Sequence, residues 1–166
     1  RDSKMNPFTN LRGAILLRVL GVLGAAALTA GVVYFFYCPC ERTSGGWLLG
    51  TEIPEPVSDW SFANQVPLCQ IQVSGWLPHS VNLNCMSSSG KLYLSCASCE
   101  GKRWSTLALA NPNGRIRMNE SVYPVTLTRV EDPEVLDEAW QARAAKFSRQ
   151  ARPRPETWWS FSLKSR

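Results

Sequence analysis

The sequence predicts a mainly β protein with some α: one N-terminal transmembrane helix followed by a small antiparallel β-barrel carrying two helices. Three observations lead there. Residues Gly13 to Tyr37 are almost uninterruptedly apolar, residues from Leu68 onward break into short alternating segments separated by Gly, Asn and Ser turns, and two helical patterns interrupt those segments. At 166 residues the chain has room for a membrane segment and one domain with its own core.

The apolar stretch holds a single charge, Arg18, and Val19 to Tyr37 hold none. At about 1.5 Å per residue this run crosses most of a roughly 30 Å hydrocarbon layer. Arg18 snorkels to the headgroups, and Tyr34, Phe35, Phe36 and Tyr37 suit the opposite interface. A cleaved signal peptide ending at the small residues before Gly31 is the alternative. Arg1, Lys4, Arg12 and Arg18 precede the span, whereas only Arg42 stands close behind it among Glu41, Glu52, Glu55 and Asp59. That bias predicts residues 1–12 in the cytoplasm and the C-terminal domain outside it, periplasmic in a bacterium. Gly21, Ala25, Ala27 and Gly31 offer small residues at four-residue spacing, which suits close packing on another membrane helix.

Residues 38–59 are rich in Gly and Pro and are expected to be a linker or a wrapped, extended arm with Trp47, Leu48 and Leu49 as apolar contacts. The barrel is expected over residues 60–149. Leu68–Val73 and Val81–Met86 alternate as strands, and Ser87–Gly90 turns the second into Lys91–Cys96 as a hairpin. Arg103–Ala110 reads as a short helix stopped by Asn111-Pro112. Strands Arg115–Met118 and Ser121–Val130 follow, with Pro124 at an edge or a bulge. The second helix starts at Asp132 as N-cap with Pro133 in its first position, and Leu136, Trp140 and Phe147 form its inward stripe. Residues 150–166 are basic, aromatic and broken by Pro153 and Pro155. They are expected to form an extended tail, anchored by Trp158, Trp159 and Phe161 in a groove, at the bilayer or on the barrel itself.

Cys38, Cys40, Cys69, Cys85, Cys96 and Cys99 are read as disulfides or buried strand residues, with no pairing fixed by the sequence. A zinc site from Cys38, Cys40, Cys96 and Cys99 is the competing reading, although the chain has one histidine, His79. Glu100 follows Cys99, so the c-type haem signature is missing, and no helix start lies at Cys96 to make a thioredoxin-like site. The net charge of +5 comes from the two ends, the middle being acidic, which excludes the basic face of a nucleic-acid binder. The basic C-terminal stretch suits anionic lipid or an acidic protein surface. No Ser or Cys stands in a nucleophile-elbow or triad pattern around the one histidine.

The order of motifs from about Trp60 to Trp140 is distinctive: hairpin, "GKLYLSCAS", "GKRW", short helix, "ANP", strand and "VYPVTLTRVEDPE". In this order they resemble the flavin-binding split-barrel proteins related to pyridoxamine phosphate oxidase. "KRWSTLALANP" is especially similar to their deazaflavin-dependent nitroreductase branch. The resemblance implies a split β-barrel and a phosphate site on Ser95, Ser98, Lys102 and Arg103, with Trp104 flanking the ring or serving the core. Hydroxyls, two cations and a helix N-terminus are chemically suited to a phosphate. Backbone groups of Val81–Cys85 would meet the isoalloxazine edge. The chain departs from that branch at "SGWLPHS" (Ser74–Ser80), where a basic, Gly- and Ser-containing turn is usual. Two functions follow. One is an accessory or structural subunit of a membrane complex, with a degenerate flavin site and contacts to membrane lipid and integral membrane partners through the helix and the tail. The other is a membrane-anchored oxidoreductase using FMN or a deazaflavin. The resemblance also implies a possible homodimer.

Overall fold

A computed structural model describes residues 7–150 and 152–166, with side chains from residue 13 onward. Of the expected cytoplasmic segment 1–12, residues 1–6 lie outside the described residues. The backbone of the first helix, α1 (Pro7–Tyr37), begins six residues before the expected Gly13. Its Gly13–Tyr37 portion has a mean hydropathy of 2.1 and is long and apolar enough to cross a membrane. Leu16, Leu17, Leu20, Val22, Leu23 and Leu28 are all exposed along it, as expected of a helix whose solvent is lipid. The described residues up to Phe35 and those from Phe36 onward form separate compact units.

The second unit is a closed barrel of six antiparallel strands. Its strands are β2 (Cys69–Val73), β3 (His79–Ser88), β4 (Lys91–Ala97), β5 (Asn113–Met118), β6 (Ser121–Arg129) and β7 (Trp158–Ser165). They run in the order β6-β5-β2-β3-β4-β7, and antiparallel pairing of β7 with β6 closes the ring. A two-residue strand, β1 (Thr51–Glu52), adds to β6 in parallel. The helices are α2 (Arg103–Ala110) and α3 (Pro133–Lys146), and Ser61–Gln65 makes one 3-10 turn.

Strand alternation separates two apolar layers. Ile71, Leu92, Leu94, Ile116, Val125, Leu127, Phe161 and Leu163 point into the barrel, and Trp60 and Trp104 pack with them. Met86, Tyr93 and Trp158 point out and are covered by Ala139, Leu136 and Trp140 of α3. Asp132 caps α3 as expected, its carboxylate accepting from the Glu134 amide at 2.9 Å and the Val135 amide at 3.4 Å.

The expected end of the barrel at residue 149 is corrected. The C-terminal stretch is the sixth strand of the ring, and its Trp158 and Phe161 are buried in the two layers. These two aromatic side chains are therefore core residues and not free anchors. Pro124 also differs from expectation, because β6 is an interior strand. Its carbonyl accepts from the Arg166 amide on the side where β6 changes partner from β1 to β7. The missing N–H of the proline points to that same side, where β7 ends at Ser165, so the lost bond falls at the margin of the ladder.

The arm 38–59 wraps the barrel. Gly45 and Ser80 exchange backbone hydrogen bonds of 2.9 Å, the Leu48 amide donates to Gln72 Oε1 at 2.8 Å, and Thr51 and Ile53 donate to Glu120 and Val122. Gly45 is needed there: an added Cβ would stand 2.0 Å from the Cys38 carbonyl oxygen and 2.7 Å from the Pro39 nitrogen, both backbone atoms. Gly45→Ala should therefore lift the arm and lower stability by about 1–3 kcal/mol. An unchanged thermal melting curve would contradict this close approach.

Three disulfides pair Cys38 with Cys40, Cys69 with Cys85 and Cys96 with Cys99. The four cysteines of the zinc alternative are divided between two of these bridges, Cys38–Cys40 and Cys96–Cys99. Among the described residues no group of three or more His, Cys, Asp or Glu is arranged to hold a metal ion.

Candidate functional site

The residues expected to grip a phosphate lie between the end of β4 and the start of α2. The chain turns there through Ser98 and Gly101, both at positive φ (53° and 72°), and the Cys96–Cys99 bridge ties the loop to the strand. Ser105, in the first turn of α2, donates through Oγ to the carbonyls of Cys99 at 2.5 Å and Lys102 at 2.8 Å. The Ser98 amide donates to the Thr157 carbonyl at 3.2 Å, which joins the loop to the lead-in of β7.

Within this frame the five expected residues separate. Ser95 shares the outer face of β4 with Tyr93, is buried opposite Ser160 of β7, and its Oγ has no hydrogen-bond partner. Trp104 lies on the inner side, buried with its ring 5.2 Å from that of Phe161. Lys102 folds back, its Nζ donating to the Ala97 carbonyl at 3.0 Å. Ser98 and Arg103 remain exposed. A phosphate site needs donors converging on one point. Trp104 thus takes the core role, and of the four residues expected at a phosphate Ser98, Lys102 and Arg103 are exposed while Ser95 is buried on the outer face of β4.

His79 opens β3 opposite Val73 and is buried. Burial, helped by the nearby charge of Arg103, holds its pKa below the ordinary histidine value. The imidazole is thus neutral at pH 7 and serves as a hydrogen-bonding group more readily than as a cation. Beside it the turn carries Trp76, 96% exposed, and the half-exposed Leu77.

Two features had no clear sequence signal. A cleft of about 310 Å³ lies between the arm and β5, lined by Trp47, Gln72, Ser74, Asn113, Arg115 and Arg166 among others. Arg115 is already committed within it: Nη2 meets Glu52 at 2.7 Å, Nη1 donates to the Leu48 carbonyl at 3.0 Å and Gln72 at 3.2 Å, and the guanidinium lies 5.0 Å from the Trp47 ring centre. It fastens the arm and leaves little charge for a ligand. A second cleft, of about 460 Å³, runs beside the Cys38–Cys40 turn. The only hint of it in the sequence is "CPC", whose exposure depends on how the arm is laid down.

No protein-family model and no curated protein sequence matches this chain. Solved structures do resemble it. A Bacteroides thetaiotaomicron protein assigned to 5-nitroimidazole antibiotic resistance matches with a TM-score of 0.55 at 12% identity, covering 77% of this chain and 90% of its own. The heme storage protein HutZ from Vibrio cholerae matches with a TM-score of 0.53 at 12% identity, covering 63% and 85%. A Listeria innocua protein assigned as a pyridoxamine 5'-phosphate oxidase matches with a TM-score of 0.51 at 12% identity, covering 63% and 87%. The shared feature is the split β-barrel, the fold the motif order implied.

Proposed function

We propose that this chain is a single-pass membrane protein whose split barrel is an accessory or structural subunit of a membrane complex, with a flavin site that has degenerated. The observation that carries this reading is the burial of Ser95 opposite Ser160 of β7, while Ser98, Lys102 and Arg103 stay exposed. Of the side chains that the resemblance places at a phosphate, Lys102 donates to the Ala97 carbonyl of its own loop and Ser95 is buried without a hydrogen-bond partner. The charge bias around the apolar helix supports a cytoplasmic N-terminus and an extracytoplasmic barrel. Gly21, Ala25, Ala27 and Gly31 support an integral membrane partner packed on that helix.

A membrane-anchored oxidoreductase using FMN or a deazaflavin is the second reading. It rests on Ser98, Lys102 and Arg103, which stay exposed together at the start of α2.

Titration of the detergent-solubilised full chain with FMN and with a deazaflavin separates the two. No saturable fluorescence change is expected up to about 100 μM, a weak-binding limit near −5.5 kcal/mol. Extraction from native membranes in mild detergent should give a particle much larger than the 18.5 kDa chain. Micromolar flavin uptake that disappears in a Lys102→Ala, Arg103→Ala double variant would establish the oxidoreductase reading instead.

A further inference from the structure

We propose that Cys38 and Cys40 form an exchangeable disulfide, which oxidises the thiols of a cysteine-bearing polypeptide lying in the cleft beside it. The three bridges of this domain are not equivalent. Cys69, Cys85 and Cys99 are fully buried and Cys96 nearly so, whereas in the third bridge Cys38 is buried and Cys40 is exposed. Exposure gives an attacking thiolate access to one sulfur, and exposed disulfides are typically the labile ones.

The bridge also contributes little to the fold. It closes a sequence separation of two, and restraint of the unfolded chain grows with the length of the closed loop. The turn is held without it. Gln70 Nε2 donates to the Pro39 carbonyl at 3.1 Å, and Asn82 Nδ2 donates to the Pro39 and Glu41 carbonyls at 3.4 and 2.8 Å. Cys40 and Thr43 exchange backbone hydrogen bonds of 3.1 and 2.8 Å. Opening the bridge therefore leaves both sulfurs on an anchored turn, placed to close again.

The adjoining cleft has the chemistry of a polypeptide groove. Pro39, Pro67 and Leu68 supply apolar wall, Gln70 and Asn82 supply amides, and Arg117 and Glu41 supply one charge of each sign. Arg117 is itself held, donating from Nε to Gln70 and from Nη1 to the Leu49 carbonyl at 2.7 Å.

In the first step a substrate thiolate attacks Cys40 Sγ. The Cys38–Cys40 bond breaks, a mixed disulfide forms, and Cys38 leaves as a thiolate that takes a proton from solvent. A second thiolate of the same polypeptide then attacks the substrate sulfur of the mixed disulfide and releases Cys40, which is protonated in turn. Two substrate thiols lose two electrons and two protons, and Cys38 and Cys40 gain them. The bridge is the oxidant for one turnover, and an external disulfide restores it for the next.

The full chain in detergent tests this at neutral pH. Samples equilibrated with increasing dithiothreitol are quenched with N-ethylmaleimide and mapped by mass spectrometry. Cys38 and Cys40 should become labelled at about tenfold lower dithiothreitol than the other four cysteines. Labelling that coincides with or follows the other bridges would overturn the proposal, and because this arm uses the unaltered protein, no misfolded variant can obscure it. The oxidised chain should also convert about one equivalent of a reduced two-cysteine peptide to its disulfide, about tenfold faster than it oxidises glutathione at equal thiol concentration. Loss of that conversion in a Cys38→Ser, Cys40→Ser double variant with an unchanged melt supports the assignment. Conversion retained in that variant overturns it, and equal rates with peptide and glutathione overturn the role of the cleft.

Discussion

Truncation of the chain after Glu156 is expected to abolish the folded domain. The removed segment contains β7, which pairs with β4 from Leu92↔Leu163 to Ala97↔Trp158 and with β6 from Val125↔Ser165 to Arg129↔Phe161. Its loss leaves β4 and β6 as open edges. It also strips Phe161 and Leu163 from the interior and Trp158 from the layer under α3. Each such side chain is worth about 1.5–3 kcal/mol in burial alone. Together with the two ladders this matches or exceeds the roughly 5–15 kcal/mol that keeps a domain folded. Trp104 would lose its ring partner as well, so the loop at the start of α2 would come apart with the barrel. Far-ultraviolet circular dichroism and a urea titration of the truncated chain should show no cooperative transition. A soluble product with a sharp transition would mean that β7 is dispensable.

That strand is also the element least legible in the sequence, for a physical reason. "WWSFSLK" does alternate, with Trp159, Phe161 and Leu163 facing the barrel interior and Ser160 and Ser162 facing out. Trp158 spoils the pattern, because the outer face is itself covered at that point by Trp140, whose ring centre lies 5.2 Å away. Pro153, Pro155 and the surrounding arginines then make the stretch look like a solvated tail. Where one face met a core and the other stayed more open, as around Ile116 and Met118 of β5, or where a cap marked the start, as in α3, local pattern was sufficient.

The expected phosphate site shows a different limit. Ser95, Ser98, Lys102, Arg103 and Trp104 are close in sequence, yet nearness along the chain does not say which face of β4 each occupies or what folds over it. Disulfide partners were illegible for the same reason: Cys69 and Cys85 meet through the β2–β3 register, while the other two bridges are local. Nothing in the sequence around Lys146 marks it beyond a basic residue in the last turn of a helix.

Lys146→Met is expected to destabilise the domain by about 2–3 kcal/mol, the cost of leaving buried carbonyls without their donor. Lys146 Nζ donates to the Ala63 carbonyl at 2.9 Å, the Val66 carbonyl at 2.5 Å and the Cys85 carbonyl at 2.6 Å. One ammonium thereby joins the end of α3 to the 3-10 turn and to β3, next to the Cys69–Cys85 bridge. Methionine keeps the stem and removes all three donors, so packing is largely conserved and the polar loss is isolated. For a domain of this size the melting temperature should fall by roughly 8 °C. The pH dependence gives a second, independent signature. Burial lowers the Lys146 pKa from 10.5 to about 8. Between those two values the unfolded chain binds more protons than the folded one, so this residue makes stability rise as pH increases from about 8 toward 10.5. Below about pH 8 the ammonium is charged in both states and its burial cost is fully present. The stability difference between wild type and the Met variant, measured by urea titration across that window, should therefore widen with pH. A pH-independent difference would show that the folded-state pKa is not depressed, and no difference at any pH would show that the three carbonyls find other donors.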